Sequence, residues 1–154
     1  MKSFGQILIS LMLVSVGVGA EQTAAKEDDD IREIVIRALF RDAGIRGGVK
    51  VFFLSAEEWR TDPTDGFMAR FASNKPPVRK VSLSAEKEGK VFDKQTGERG
   101  VIFSVMNLRR KSDTEVQIDG SVYRAGLNGY TDTYTLTKKS GKWKITDKKI
   151  KSIS

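Results

Sequence analysis

The C-terminal stretch TDTYTLTKKSGKWKITDKK, residues 131–149, decides the fold class of this chain. Its apolar side chains recur at every second position within two short runs: Tyr134 and Leu136, then Trp143 and Ile145. Alternation of apolar and polar residues is typical of a β-strand with one buried face. Ser140 and Gly141 supply turn residues between the two runs, so the stretch predicts an antiparallel hairpin.

Four upstream stretches extend the β-rich pattern: VKVFFLS at 49–55, VRKVSLS at 78–84, GKVFDKQTGERGVIFSVMNL at 89–108 and TEVQIDGSVYRAG at 114–126. Thr96-Gly97 is a turn signal inside the third stretch, which therefore predicts a hairpin. In the fourth stretch we expect three apolar residues on one face: Val116, Ile118 and Val122. Gly120 there indicates a bulge or bend, or else a tight hairpin at Asp119-Gly120.

A helix is predicted from Asp30 onward, because apolar residues recur there with helical spacing: Ile31, Ile34, Val35, Ala38 and Leu39. The acidic run from Glu27 to Asp30 stands where carboxylates would cap free N–H groups and favour the positive end of the helix dipole. Gly44 is a natural C-terminal stop.

The dense stretch DPTDGFMARFASNKPPVRKVS, residues 62–82, predicts a second, short helix. Asp62 is expected as its N-cap, with Pro63 at the first helical position. Phe67 and Phe71 would share one face, and the double proline at 76–77 would end the helix.

These elements predict an α+β domain, in which an N-terminal amphipathic helix and a short second helix pack on a curved antiparallel sheet. We expect a single domain over residues 28–154, preceded by a flexible lead-in at 21–27 that has no apolar periodicity. The cone between the first helix and the sheet would be either open or filled by the side chains Ile34, Leu39, Phe53, Phe103 and Trp143.

Residues 1–20 have the pattern of a cleaved signal peptide. Lys2 is followed by an apolar stretch from Ile7 to Val18, and Val18-Gly19-Ala20 places small residues at a cleavage site. The alternative is an uncleaved membrane anchor, which needs about 20 apolar residues, whereas this stretch has about a dozen. The pattern predicts export, to the periplasm or the medium, with no membrane span left after cleavage.

The chain of 154 residues contains neither histidine nor cysteine. The usual ligands of zinc, iron and copper are therefore missing, and we expect no metal site and no cofactor. The commonest general base and the thiol nucleophile are missing as well, so acid–base chemistry would fall to carboxylates and tyrosines. The candidate catalytic group is Asp132 with Tyr130 and Tyr134, which alternate along one strand and would share a face. The simpler interpretation makes the tyrosines core residues and Asp132 a solvated residue.

The formal net charge is +7, and basic residues concentrate near the C-terminus. Candidates for binding an anion or a partner are Lys142, Lys144, Lys148, Arg79, Arg109 and Arg110. Such a surface would suit an anionic envelope polymer or an acidic protein. Lysines on a strand edge also discourage edge-to-edge pairing, which explains them without a partner. Nucleic acid is disfavoured, because Trp143 is expected in the core rather than beside the lysines for base stacking.

The hairpin YTLTKKSGKWKI, after a long bent strand and an amphipathic helix, resembles that of the cystatin-like or NTF2-like α+β roll over about residues 28–150. The stretches VFFLS, DPTDGFMARF, KPPVRKVS, TGERGVIFSV and SDTEVQIDG look like those of small exported bacterial proteins of uncharacterised function. The NTF2-like resemblance implies a homodimer and a cone that holds a small ligand in some members. Some members are enzymes that use buried Asp and Tyr, and others only bind partners.

The sequence therefore predicts an exported, non-catalytic binding or accessory domain of unknown ligand. Two alternatives stay open. The first is an NTF2-like small-molecule-binding protein or enzyme that uses Asp and Tyr chemistry, and the second is an electrostatic binder of an anionic polymer or acidic protein.

Overall fold

A long helix and a six-stranded sheet form the framework of the protein. The computed structural model describes residues 16–43, 48–57, 59–126 and 128–153. Its elements, in chain order, are α1 Val16–Ala43, β1 Val51–Glu57, α2 Asp65–Ala69, β2 Val78–Lys80, a 3₁₀ turn Val81–Leu83, β3 Ser84–Lys87, β4 Lys90–Asp93, β5 Gly100–Ser112, β6 Glu115–Ala125, β7 Asn128–Lys139 and β8 Lys142–Ile153. The α+β class is confirmed. Most of the predicted signal peptide and the predicted stop at Gly44 lie outside the described residues.

The sheet has the strand order β2-β1-β5-β6-β7-β8, and its last four strands form an antiparallel meander. The predicted hairpin at Ser140-Gly141 is confirmed as the turn between β7 and β8. The sheet is mostly antiparallel, but the expectation of an antiparallel sheet fails at β1, which pairs in parallel with both β2 and β5. Side-chain alternation reports which face of a strand is buried, and it carries no information about strand direction.

Helix α1 begins at Val16, well before the predicted start at Asp30. Residues 21–27 are therefore helical, and residues 19–26 are exposed. The predicted capping role of the acidic run is wrong, since these carboxylates lie inside the helix and pair with basic residues of other elements. Glu27 binds Lys138 and accepts a hydrogen bond from Trp143 Nε1 at 3.0 Å, and Asp30 lies 2.7 Å from Arg70.

The main core lies between α1 and one face of the sheet. The predicted helical stripe is confirmed for three fully buried residues: Ile31, Val35 and Leu39. Phe103 and Trp143 are buried there as well, while Ile34 packs at the margin. The middle of the space between helix and sheet is thus filled by side chains.

Gly120 forms neither a hairpin nor a bulge. It lies inside β6 and pairs in regular register with Val105 on β5 and Asp132 on β7. A Cβ atom at this position would stand 2.9 Å from Tyr134 Cε2 and 3.0 Å from Val35 Cγ1. Glycine is therefore required because the helix and the Tyr134 ring both approach the strand backbone closely.

A second, smaller core lies on the opposite face of the sheet. The β3–β4 hairpin and the 3₁₀ turn cover that face, and the buried residues are Val51, Phe53, Val81, Val91 and Ile102. Phe53 was expected to fill the space under α1, and that expectation is wrong. Its neighbour Phe52 faces the helix instead, with its ring centroid 4.7 Å from that of Phe40.

The second helix exists, but its predicted N-cap is wrong. Thr64 caps α2 by accepting a hydrogen bond from the Phe67 backbone N–H at 3.2 Å. Asp62 instead accepts a hydrogen bond from the backbone N–H of Ser82 at 2.8 Å and so ties the loop to the 3₁₀ turn. Phe67 and Phe71 are both buried in the main core.

We expect Gly120→Ala to lower the free energy of unfolding by about 1–3 kcal/mol, because the added methyl group overpacks the contact between α1 and β6. Urea unfolding monitored by circular dichroism measures this change. Gly66→Ala in α2 is the matched control, since a Cβ atom there meets nothing within 4 Å. Equal effects of the two substitutions would contradict the packing argument.

Candidate functional site

An open pocket of about 520 Å³ lies where the C-terminal end of α1 meets β7 and β8. We call it the end pocket. Its lining comes from three elements and comprises Asp42, Asn128, Gly129, Tyr130, Asp132, Lys148, Ile150 and Ile153. The filled core stops short of this position, so the helix and the sheet leave a concave surface that is open to solvent.

Two of the candidate catalytic residues, Tyr130 and Asp132, line the end pocket, whereas Tyr134 is buried in the main core. Asp132 pairs with Gly120, and Tyr134 pairs with Ile118, whose side chain lies in the main core. Tyr130, Asp132 and Tyr134 therefore project from the same face of β7, the face that α1 covers. The structure brings the three together, while any catalytic role for them stays a prediction.

Lys148 forms ion pairs with both carboxylates of the end pocket. Its Nζ lies 3.2 Å from Asp42 Oδ2 and 3.6 Å from Asp132 Oδ2. The hydrogen bond to Asp42 raises the pKa of Lys148, although partial burial opposes this. Asp132 is only 4% exposed, so this ammonium group compensates a buried charge. The simple interpretation of Asp132 as a solvated residue is wrong.

Two phenols stand beside this ion-paired group. Burial, followed by the charge of Asp132, raises the pKa of both Tyr130 and Tyr134. Both hydroxyls therefore stay protonated at neutral pH and can donate hydrogen bonds. The Tyr134 hydroxyl is buried and has no hydrogen-bond partner among the described residues. A buried polar group without a partner costs about 1–3 kcal/mol.

The outer wall of the end pocket is apolar. Ile150 and Ile153 on β8 are 72% and 76% exposed, which is unusual for large aliphatic side chains within a strand. They lie on the edge strand of the sheet, next to the polar group formed by Asp42, Asp132 and Lys148. The end pocket can thus accommodate a molecule that has both apolar and hydrogen-bonding parts.

The six residues predicted to bind an anion are not brought together. Arg79 on β2 and the lysines on β8 lie on opposite edges of the sheet, five strand spacings or about 24 Å apart. Four of the six form ion pairs within the chain: Arg79 with Asp93, Arg109 with Asp119, Arg110 with Asp28, and Lys148 with Asp42 and Asp132. Lys142 and Lys144 are exposed at the start of β8.

Sequence reasoning also missed the buried carboxylate of Asp119 on β6. Its side chain is fully buried and accepts hydrogen bonds from Lys151 at 2.6 Å, Thr133 at 2.8 Å and Arg109 at 3.0 Å. Burial alone would raise the pKa of Asp119, but the bonds from Arg109, Lys151 and Asn107 outweigh it and hold the pKa well below its usual range. The Asp-Gly pair indicated a turn, and the partners come from three other strands, so no local signal marked this site.

No cluster of three or more metal-ligating side chains occurs in the described part of the chain. Within the same residues, no helix combines the length and the apolar character that crossing a membrane requires.

Comparisons with protein-family models, with curated proteins and with solved structures found no match to this chain. The resemblance to the cystatin-like and NTF2-like rolls therefore stays a prediction.

Because its folded-state pKa is depressed, Asp119 stabilises the protein above the unfolded-state pKa of about 3.9, and this contribution is lost as the pH falls below that value. We expect Asp119→Asn to lower the free energy of unfolding by about 2–3 kcal/mol at pH 7. The difference from the unsubstituted protein should shrink toward pH 3, as measured by urea unfolding across that range. Asp147→Asn, at an exposed position of β8, is the control. A pH-independent difference for Asp119→Asn would contradict the assignment.

Proposed function

We propose that this chain is an exported, non-catalytic binding domain whose ligand occupies the end pocket. The observation that carries the proposal is the placement, at one open end of the fold, of two exposed isoleucines beside an ion-paired and partly buried polar group. Isolated exposed apolar residues need no explanation, but two that border a concave site with convergent polar groups favour a ligand.

The ion pairing favours binding over catalysis. The carboxylate of Asp132 is already engaged by the ammonium group of Lys148, 3.6 Å away. Such a pair holds charges in fixed positions, and it suits recognition of a polar group by hydrogen bonds. The unpartnered Tyr134 hydroxyl is the observation that favours the Asp and Tyr enzyme as the second candidate.

The ligand we propose is a small amphipathic molecule. Its apolar part would cover Ile150, Ile153 and the ring of Tyr130, which removes apolar surface from water. Its polar part would meet Lys148 and Asp132 at the inner end of the pocket. A volume of about 520 Å³ lies within the range of pockets that hold small organic ligands.

The amphipathic dye 8-anilinonaphthalene-1-sulfonate tests the site, because its fluorescence rises when it leaves water. We expect saturable binding to the folded protein. The double variant Ile150→Ser, Ile153→Ser should weaken binding by about 10-fold, since it removes the apolar wall. Lys144→Ser, an exposed change on the same strand, is the matched control. Equal affinity of the double variant and the control would reject the end pocket as the binding site.

Export gives a separate prediction. In bacterial cells we expect the mature protein to begin at Glu21, because Val18-Gly19-Ala20 forms the cleavage signal. Loss of residues 1–20 keeps all the buried residues of α1 that the structure describes, since the first of them is Ile31. Intact-mass spectrometry of the protein from the periplasm or the medium measures the start. A full-length chain that stays in the cytoplasm would contradict export.

A further inference from the structure

A second concave site lies on the sheet face opposite α1, at the start of β7. It is a cleft of about 200 Å³, which we call the Trp59 cleft. Its lining includes Trp59, Ser121, Tyr123 and Thr131, together with Gly129 and Tyr130, which also line the end pocket. Ser121 pairs with Thr131 and Tyr123 pairs with Gly129, so the floor is formed by β6 and β7. Tyr123 packs at the margin of the smaller core, which places the cleft on the face away from the helix.

The chain exposes Trp59 at a conformational cost. Its side chain is 44% exposed, although tryptophan is highly buried on average. Glu57 and Arg60 on either side have backbone φ angles of 68° and 65°, a left-handed conformation that non-glycine residues rarely adopt. Such backbone strain costs about 1–3 kcal/mol at each residue and clusters at functional sites. Trp59, which lies between these two residues, presents its indole ring on the surface.

The two aromatic rings of the cleft are held in place. The rings of Trp59 and Tyr123 have centroids 5.9 Å apart and planes at 84°, so they form the two walls of a right-angled notch. Glu86 accepts a hydrogen bond from the Tyr123 hydroxyl at 3.0 Å and also binds Arg60. The Arg60 guanidinium in turn lies over the indole, 5.7 Å from the ring centroid. One carboxylate thus fixes both rings through Arg60 and Tyr123, and this preorganisation lowers the entropic cost of binding.

The floor of the Trp59 cleft carries hydroxyl groups. Ser121 and Thr131 present side-chain oxygens that both donate and accept hydrogen bonds. Arg60 and Glu86 neutralise each other beside the rings, so the cleft offers neither a phosphate site nor an ammonium site. The combination of aromatic walls, a hydroxyl-bearing floor and cancelled charge favours an uncharged, polar ring as ligand.

The right angle between the Trp59 and Tyr123 rings bears on which uncharged ring fits the cleft, a nucleobase or a saccharide. A flat nucleobase gains most from stacking on ring faces, and nucleic-acid sites add a positive groove for the backbone. A saccharide ring has an apolar C–H face that packs on one aromatic ring and hydroxyl groups around its rim that hydrogen-bond to Ser and Thr. The cleft volume of about 200 Å³ accommodates one such ring. We propose that the Trp59 cleft binds a neutral saccharide by one pyranose unit.

Trp59 itself reports on binding, because the chain has two tryptophans and the other, Trp143, is buried on the far side of the sheet. Fluorescence titrations of the full chain with maltotriose, cellotriose and chitotriose are expected to give a saturable change for at least one of the three. Tyr123→Ala keeps the reporter and removes one wall, so we expect its Kd to rise at least 10-fold. Ile150→Ser, in the end pocket, should leave the Kd unchanged. Circular dichroism shows that each variant is folded.

Two results would overturn the proposal. One is the absence of a saturable change with all three saccharides while the protein is folded. The other is a stronger response to adenosine than to any saccharide, which would assign the cleft to a planar base. Neither result depends on whether the end pocket binds its dye, so the two sites are tested separately.

Discussion

The close approach of α1 to β6 at Gly120 is the constraint on which the rest of the structure depends. With no side chain on Gly120, Val35 and Leu39 of the helix and the ring of Tyr134 can all reach the strand backbone. The helix is then close enough for its apolar stripe to fill the main core. The same contact sets the position of the helix along the sheet, and therefore where the helix ends over β7 and β8.

The end pocket follows from that placement. Helix α1 ends at Ala43, and Asp42 in its last turn lines the end pocket together with residues of β7 and β8. Tyr130 and Asp132 line this pocket from the sheet. Lys148 forms ion pairs with Asp132 on the sheet and with Asp42 in the last turn of the helix. A buried carboxylate at the rim of a core needs such a partner, because its uncompensated charge would destabilise the fold.

Many charged side chains of the protein form ion pairs between different helices and strands of the fold. Carboxylates in the middle of α1 bind Lys138 and Arg70, and Asp119 on the opposite face of the sheet gathers Arg109 and Lys151. Four of the six residues that were expected to form a basic surface therefore link helix to sheet or strand to strand. The two binding sites that we propose, the end pocket and the Trp59 cleft, are concave surfaces instead.

Local patterns in the sequence determined the α+β class, the β7–β8 hairpin, the buried stripe of α1 and the alternation that puts Tyr130, Asp132 and Tyr134 on one face. These features depend on side chains a few residues apart, so their spacing is visible in the chain itself. Tertiary structure alone decided the parallel pairing of β1, the role of Gly120 and the partners of Asp119. Each of these depends on contacts between residues distant in sequence, such as Val35 with Gly120 or Lys151 with Asp119, and no local pattern encodes which distant side chain will be the neighbour.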